Sequence, residues 1–100
     1  MSYSLKYLKE AHKASSDHRA TIEHSSLCGC FFCCKVFSPT LIKEWIDGGQ
    51  TAVCLCGIDS VIGSVSGYKL TDGFLKAMCR FWFNRAIVKG KWVWLKVRSK

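Results

Sequence analysis

Two short cysteine clusters constrain this chain more than any other feature of its sequence. The first reads CGCFFCCKVFSP over residues 28–39, and the second reads CLCG over residues 54–57. Cys30 and Cys33 have the C-x-x-C spacing of a zinc knuckle, a tight turn whose backbone amides face two thiolates. Cys54 and Cys56 form a second pair about twenty residues later, a separation typical of zinc ribbons and treble clefs. The pattern predicts one structural zinc ion held by Cys30, Cys33, Cys54 and Cys56.

The second pair departs from the usual knuckle because it is C-x-C, one residue short. Gly57, which follows it, permits the left-handed turn that a knuckle requires. Cys28, Cys34 and His24 remain open as substitute ligands. A different interpretation is that these cysteines are small apolar core residues, as buried cysteines often are. Cys79, which stands alone in an apolar stretch, fits that interpretation and is assigned no role.

Disulfides are the less favoured use of these residues. Seven cysteines are present, and an odd number cannot all pair within one chain. The N-terminal stretch MSYSLKYLKEAHKASSDH has no apolar h-region and no small-residue cleavage site. No apolar run approaches the roughly 20 residues of a transmembrane helix. These observations predict a cytoplasmic protein, and cytosolic thiols are kept reduced and bind metals more often than they pair.

The chain of 100 residues predicts a single small α+β domain. Hydrophobic residues make up 49% of it and only one proline is present, which is typical of a globular chain. We expect a zinc-ribbon or treble-clef-like core over residues 28–84. An N-terminal helix over residues 1–27 precedes it, and a basic, aromatic extension over residues 85–100 follows it.

Apolar spacing predicts the first helix over residues 3–24, where apolar side chains recur at steps of three and four. The stretch of residues 15–17, Ser-Ser-Asp, is a point at which this helix can divide in two. A middle helix is predicted after Ser38 and Pro39, which are placed as N-cap and first helical residue. The pair Gly48-Gly49 would end it.

A C-terminal helix and a terminal strand complete the predicted elements. Thr71 stands at an N-cap position, and Phe74, Leu75 and Met78 follow at helical spacing. The last segment, KWVWLKVRSK, alternates with a period of two and predicts a strand.

The positive charge is concentrated at the C-terminal end. The net charge is +8, yet residues 1–72 hold seven Lys/Arg and all seven Asp/Glu, which cancel. Residues 73–100 therefore carry the whole excess with no acid among them. Such a block predicts an anionic partner, nucleic acid first and an acidic protein face second, although a merely solvated tail is the simpler interpretation. The predicted partner surface comprises Lys89, Lys91, Trp92, Trp94, Lys96 and Arg98.

Two binding functions compete on this pattern. In a nucleic-acid module, the cations contact phosphates and the tryptophans stack on unpaired bases, unless those rings are packed as a sheet face. In a protein-binding adaptor or inhibitor, of the kind encoded by phages and mobile elements, the same surface docks on an acidic or nucleic-acid-binding host protein. Salt-dependent binding to free DNA or RNA separates the two.

An enzyme is not expected. Treble-clef knuckles also occur in HNH nucleases, which need a general-base histidine beside a catalytic metal. The three histidines, His12, His18 and His24, form no H-x-x-H pair, and none follows residue 24. The chain has no glycine-rich phosphate loop, and a structural zinc closed by four ligands leaves no open position for chemistry.

Residues 28–83 resemble a family of small bacterial and phage zinc-ribbon-like proteins of unknown function. Its pattern C-x-C-F-x-C appears here as CGCFFC, and F-x-P-x-x-I-x-x-W-x-D as FSPTLIKEWID. The family's T-A-x-C-P-x-C-G-I-D-S-V-I-G appears as TAVCLCGIDSVIG, with one residue lost between the cysteines. The resemblance implies zinc binding by two knuckles, which map onto Cys30/Cys33 and Cys54/Cys56, and it carries no established activity.

Overall fold

Residues 3–95 are described by a computed structural model, in which three α-helices combine with antiparallel strands. The predicted α+β class is therefore confirmed. No helix within residues 3–95 is long and apolar enough to cross a membrane. The helices are α1 (Leu5–His12), α2 (Arg19–His24) and α3 (Asp72–Phe83). The strands are β1 (Cys28–Cys30), β2 (Val36–Phe37), β3 (Glu44–Ile46), β4 (Thr51–Val53), β5 (Val61–Gly63), β6 (Arg85–Val88) and β7 (Lys91–Trp94).

The N-terminal segment is two helices rather than the continuous helix predicted over residues 3–24. The α1 helix continues into a 3-10 turn, Lys13–Ser15, where Ser15 Oγ donates a hydrogen bond to the His12 carbonyl at 2.6 Å. Asp17 has a φ of +49° and redirects the chain before α2. Serine and aspartate compete with helical hydrogen bonding through such local contacts, so the division falls at the Ser-Ser-Asp stretch.

The predicted middle helix is wrong. Ser38 accepts a hydrogen bond from the Thr40 amide and Pro39 does begin a helical turn, but it is a 3-10 turn that ends at Leu41. The following residues form β3, which pairs with β4 so that Trp45 lies opposite Ala52. Positive φ values over residues 47–49 make the reversal between these strands. The glycines interpreted as a helix stop are therefore the turn of a hairpin.

A three-stranded antiparallel sheet, in the order β2-β1-β5, separates two apolar clusters. Because alternate residues of a strand point to opposite faces, Gly29 of β1 and Ile62 of β5 face α3, whereas Cys30 and Val61 face the other side. The helix-side cluster is built from Leu8, Ala11, Phe31, Ile62, Phe74, Leu75 and Met78. The cysteine-side cluster is built from Ile22, Cys28, Cys30, Ala52, Cys54 and Val61.

The α3 helix forms as predicted from its cap. Thr71 accepts a hydrogen bond from the Phe74 amide at 3.1 Å, and the helix ends at Phe83, after which Asn84 forms the C-cap with a φ of +53°. The helix packs closely on the sheet at Gly29, because a Cβ there would lie 3.3 Å from both terminal carbons of Leu75. The helix is thereby seated directly on β1, the strand that carries the first cysteines.

Polar contacts attach α2 to the β3–β4 hairpin. His18 accepts a hydrogen bond from the Ala52 amide on Nε2 at 3.0 Å and donates from Nδ1 to the Ala14 carbonyl at 2.7 Å. Arg19 donates to the Gly49 carbonyl at 2.9 Å, and its guanidinium lies 4.4 Å from the centroid of the Trp45 ring. These contacts hold the β3–β4 hairpin, which leads into the second cysteine pair, against α2.

The C-terminal strand is confirmed over Lys91–Trp94, and its partner β6 was not predicted. Lys89 and Gly90, with φ values of +51° and +78°, form the two-residue turn between them. Two successive residues with positive φ are typical of a type I′ hairpin turn. Every residue of β7 is exposed, so this hairpin offers much of its surface to solvent.

Candidate functional site

Four cysteine sulfurs from two distant segments of the chain meet at one place. The Sγ atoms of Cys30, Cys33, Cys54 and Cys56 all lie within 4.8 Å of one another. The Cys30 and Cys56 sulfurs are 3.7 Å apart, and those of Cys33 and Cys54 are 3.8 Å apart. A tetrahedral ion with metal–sulfur bonds of about 2.3 Å requires sulfur–sulfur separations of roughly 3.8 Å. The arrangement is consistent with a metal site formed by four thiolates.

The first pair sits on a tight turn at the end of β1. The Cys34 amide donates to the Cys30 carbonyl at 2.7 Å, which closes the turn. The Phe32 amide lies 3.4 Å from Cys30 Sγ and donates to it. Cys34 occupies the left-handed region with a φ of +62°. The turn therefore returns Cys33 toward Cys30 while an amide faces the sulfur, as in a metal-binding knuckle.

The second pair forms a turn with the same features in spite of its shorter spacing. The Gly57 amide donates to the Cys54 carbonyl at 2.8 Å, and the Cys56 amide donates to Cys54 Sγ at 3.5 Å. Gly57 has a φ of +95°, a conformation that glycine adopts without strain. The residue missing between the two cysteines does not keep Cys56 out of the cluster.

The protein environment disfavours an isolated thiolate at Cys54, one of the four cysteines. Cys30 is fully buried and Cys54 is 6% exposed, while Cys56 is open to solvent. Burial raises the pKa of the Cys54 thiol, and the neighbouring sulfur of Cys30 raises it further. A bound cation reverses this preference, because its charge stabilises coordinating thiolates directly. Ser60 Oγ, 3.2 Å from Cys30 Sγ, is placed to support that ligand from the outer shell.

The three substitute ligands lie elsewhere among the described residues. Cys28 Sγ contacts the Phe37 carbonyl at 3.5 Å, and burial raises the pKa of this thiol to about 12. A hydrogen bond with Cys79 raises the pKa of Cys34. His24 is exposed and donates from Nδ1 to the carbonyl of Ala20 at 2.7 Å. Cys79 belongs to α3 and is fully buried, in agreement with a packing role.

The predicted partner surface falls on the C-terminal hairpin. Lys89 and Lys91 are exposed at its turn. Trp92 and Trp94 lie two residues apart on one face of β7, with exposed fractions of 36% and 69%. The other two predicted residues, Lys96 and Arg98, lie outside the described part of the chain.

Sequence reasoning missed Arg85, a largely buried residue that packs beside this surface. It is only 9% exposed, and its guanidinium carbon lies 3.9 Å from the Phe32 ring centroid and 4.1 Å from that of Trp92. The cation is thus stacked between two aromatic rings. The Lys89-Gly90 dipeptide was the available signal, because a two-residue turn there places Arg85 opposite Trp94.

Comparison with known proteins finds no matching family model, no matching curated protein and no matching solved structure. The family resemblance of the cysteine motifs therefore stays a prediction. Functional inference for this chain depends on the geometry of the four sulfurs and on the chemistry of the hairpin surface.

Proposed function

We propose that this chain is a small, non-enzymatic zinc-binding module with two zinc-ribbon-like knuckles. The observation that carries the proposal is the group of four cysteine sulfurs within 4.8 Å of one another. Tetrahedral sets of four sulfurs are characteristic of zinc or of iron–sulfur sites. Amide donors to Cys30 and Cys54 support both knuckles as ligand turns.

The proposed ion is structural. Its ligands come from the turns that follow β1 and β4, so one ion fastens the three-stranded sheet to the β3–β4 hairpin. Four protein ligands also complete the coordination of zinc, which leaves no position for a catalytic water. The metal would organise a binding domain instead of performing chemistry.

Metal content tests this part of the proposal. The reduced, purified protein is expected to contain about one zinc ion per chain by elemental analysis. Cobalt substitution should give the visible absorption of a tetrahedral thiolate complex. Iron in place of zinc would correct the identity of the ion, and protein that folds metal-free and binds no added zinc would overturn the site.

The proposed binding function is recognition of nucleic acid by the C-terminal surface. Residues 73–100 carry the entire net charge of +8 without an acid, which suits a polyanion. The hairpin adds exposed Lys89 and Lys91 and a Trp94 side chain that is 69% exposed. Exposed aromatic rings among cations are the combination by which proteins bind single strands.

Salt-dependent binding tests the nucleic-acid function. A labelled single-stranded oligonucleotide should bind at about 50 mM salt, and log affinity should fall linearly with log salt. Replacing Lys89 and Lys91 together with alanine should reduce the slope by roughly 0.7 for each phosphate that the variant no longer neutralises. No affinity for DNA or RNA at that salt concentration would contradict this function.

A protein partner is the second candidate, and one observation favours it. An apolar cavity of about 360 Å³ adjoins the cysteine cluster. Exposed Leu41 and Leu55 line it, at 45% and 63% exposure, and exposed apolar patches mark protein interaction sites. Under this candidate, the double variant Leu41→Ser with Leu55→Ser should release a co-purifying host protein, whereas salt washing alone should not.

A further inference from the structure

A groove of about 250 Å³ runs between α3 and the β6–β7 hairpin. Its α3 wall presents Lys76 and Arg80, one helical turn apart, and its hairpin wall presents Arg85 and Trp92. No cysteine of the metal cluster lines it. The first two cations belong to α3 and were not part of the surface predicted from sequence.

The lining of the groove is positive, and only one of its cations has an acidic partner among the described residues. Three of its residues are cations and none is a carboxylate. Lys76 pairs with Asp72 at 2.8 Å, but that pair is exposed and such pairs contribute little to stability. Within residues 3–95, neither Arg80 nor Arg85 forms an ion pair. An anion entering the groove therefore meets two arginine charges that no carboxylate of the described residues neutralises.

Small residues on α3 keep the groove open. Gly73 and Ala77 line it on the same face of the helix as the two cations. A Cβ added at Gly73 would meet no atom within 4 Å, so this position borders free space. A tetrahedral anion can approach the helix here without displacing a side chain.

Trp92 provides an aromatic surface beside these charges, and its ring is restrained by packing. Arg85 stacks on it at 4.1 Å and is in turn backed by Phe32 at 3.9 Å. The stack restrains the indole ring, so little rotamer freedom remains to be lost on binding. Trp92 still has 36% of its surface exposed, and an exposed indole is a good platform for a nucleic-acid base.

We propose that this groove binds one phosphate and an adjacent base of a single-stranded nucleic acid. Arg80 and Lys76 contact the phosphate, and the base stacks at Trp92. The unneutralised charge selects a polyanion, and the aromatic platform selects an unpaired base, since bases within a duplex are already stacked. This inference rests on the proposed nucleic-acid function and locates it on α3 as well as on the hairpin.

Binding of a fluorescent oligothymidylate of about 12 nucleotides, followed by anisotropy across a salt series, tests the groove. Arg80→Ala should weaken binding and reduce the salt slope by about 0.7. Lys43→Ala is the matched control, because Lys43 is exposed and lies outside the groove, and it should leave the slope unchanged. Asp72→Asn should strengthen binding, since it frees Lys76 for the phosphate.

A separate variant tests the proposed stacking of a base on Trp92. Trp92→Ala should weaken binding roughly fivefold to 150-fold, as expected when one base no longer stacks, while Trp92→Phe should retain most of the affinity. A duplex of the same length should bind without this dependence on Trp92. Thermal melts of each variant show whether the fold is intact. If Trp92→Ala does not fold, the binding of Arg80→Ala alone tests whether the groove is the binding site.

The outcomes separate this site from the broader function. If the wild-type protein binds the oligonucleotide but Arg80→Ala behaves like Lys43→Ala, the groove is overturned while nucleic-acid binding stands. If the wild-type protein does not bind at about 50 mM salt, the proposed function fails and the groove with it. Equal binding of polyglutamate, with the same dependence on Arg80 and Trp92, would also overturn the proposal in favour of an acidic protein partner.

Discussion

The two faces of the three-stranded sheet are stabilised by different means. On the helix side, α1 and α3 bury a continuous apolar cluster in which Phe74, Leu75 and Met78 are at most 1% exposed. On the cysteine side, the buried cluster is smaller in side-chain volume, and two of its residues, Cys30 and Cys54, belong to the four-sulfur group. Strand β1 belongs to both faces, because its side chains alternate between them.

This difference indicates that the two faces of the sheet depend on different stabilising interactions. Apolar burial stabilises the helix side at about 25 cal/mol per Å² without any ligand. Strands β3 and β4 have only three residues each, and small domains commonly add a metal to a core of limited size. The helix side should therefore depend on packing, and the cysteine side on metal and polar contacts.

Loss of the proposed metal should produce the largest effect. Structural zinc contributes apparent binding free energies of about 10–16 kcal/mol in small zinc-finger peptides, so Cys54→Ser should lose the metal and lower the melting temperature strongly. Chelation of the wild-type protein should do the same, as followed by circular dichroism and elemental analysis. Cys79→Ser is the matched control, because this buried cysteine is outside the four-sulfur group and should keep the metal.

Truncation of the helix-side core should come next. Leu75 is fully buried and packs against Gly29 of β1, so Leu75→Ala should reduce the free energy of unfolding by about 2–5 kcal/mol. Metal content should remain at the wild-type level, because the cavity opens on the opposite face of the sheet. Loss of metal in this variant would show that the two faces fold as one inseparable unit.

Weakening the contact of His18 with β4 should reduce stability by an intermediate amount, and this reduction should depend on pH. Burial lowers the pKa of His18 below its ordinary value of 6.5 and outweighs the raising effects of the Ala14 carbonyl and of Asp17. The unfolded chain then binds a proton before the folded chain does, so stability is full above about pH 6.5 and falls as pH decreases through the folded pKa. Denaturant titrations between pH 8 and pH 5 measure this loss.

A substitution of His18 measures how much of the pH-dependent loss of stability is due to this residue. His18→Leu leaves the Ala52 amide without its acceptor, which should cost about 1–3 kcal/mol at neutral pH and flatten the pH dependence. His24→Gln, a change at an exposed histidine, should leave both quantities near the wild-type values. An unaltered pH profile in His18→Leu would assign the acid sensitivity to other groups.

The smallest predicted effect concerns the cap of α3. Thr71→Ala removes the acceptor for the Phe74 amide and should destabilise the protein by about 1 kcal/mol. Thr71→Asn, which retains a capping oxygen, should stay close to wild type. Metal content should not change in either variant, since the cap lies on the helix side.

Local signals were enough to predict some elements, and tertiary pairing overrode others. The Thr71 cap and the spacing of Phe74, Leu75 and Met78 lie within one helix, so α3 was predictable from neighbouring residues. Residues 42–47 carry an equally acceptable helical pattern, yet residues 44–46 of this stretch pair with β4 across a turn of residues with positive φ. The energetic reason is that pairing with β4 provides hydrogen bonds for the backbone N–H and C=O groups of β3. It also lets the Trp45 ring pack on the Arg19 guanidinium.

The candidate sites divide in the same way. Sequence alone identified the knuckle pairs Cys30/Cys33 and Cys54/Cys56 and the location of the charge, because ligand spacing and charge are properties of adjacent residues. Tertiary structure decided that the shortened second pair still reaches the first. It also decided that Arg80 of α3 and Trp92 of β7 line one groove. Contacts between distant segments depend on how the whole chain packs, and no short pattern encodes them.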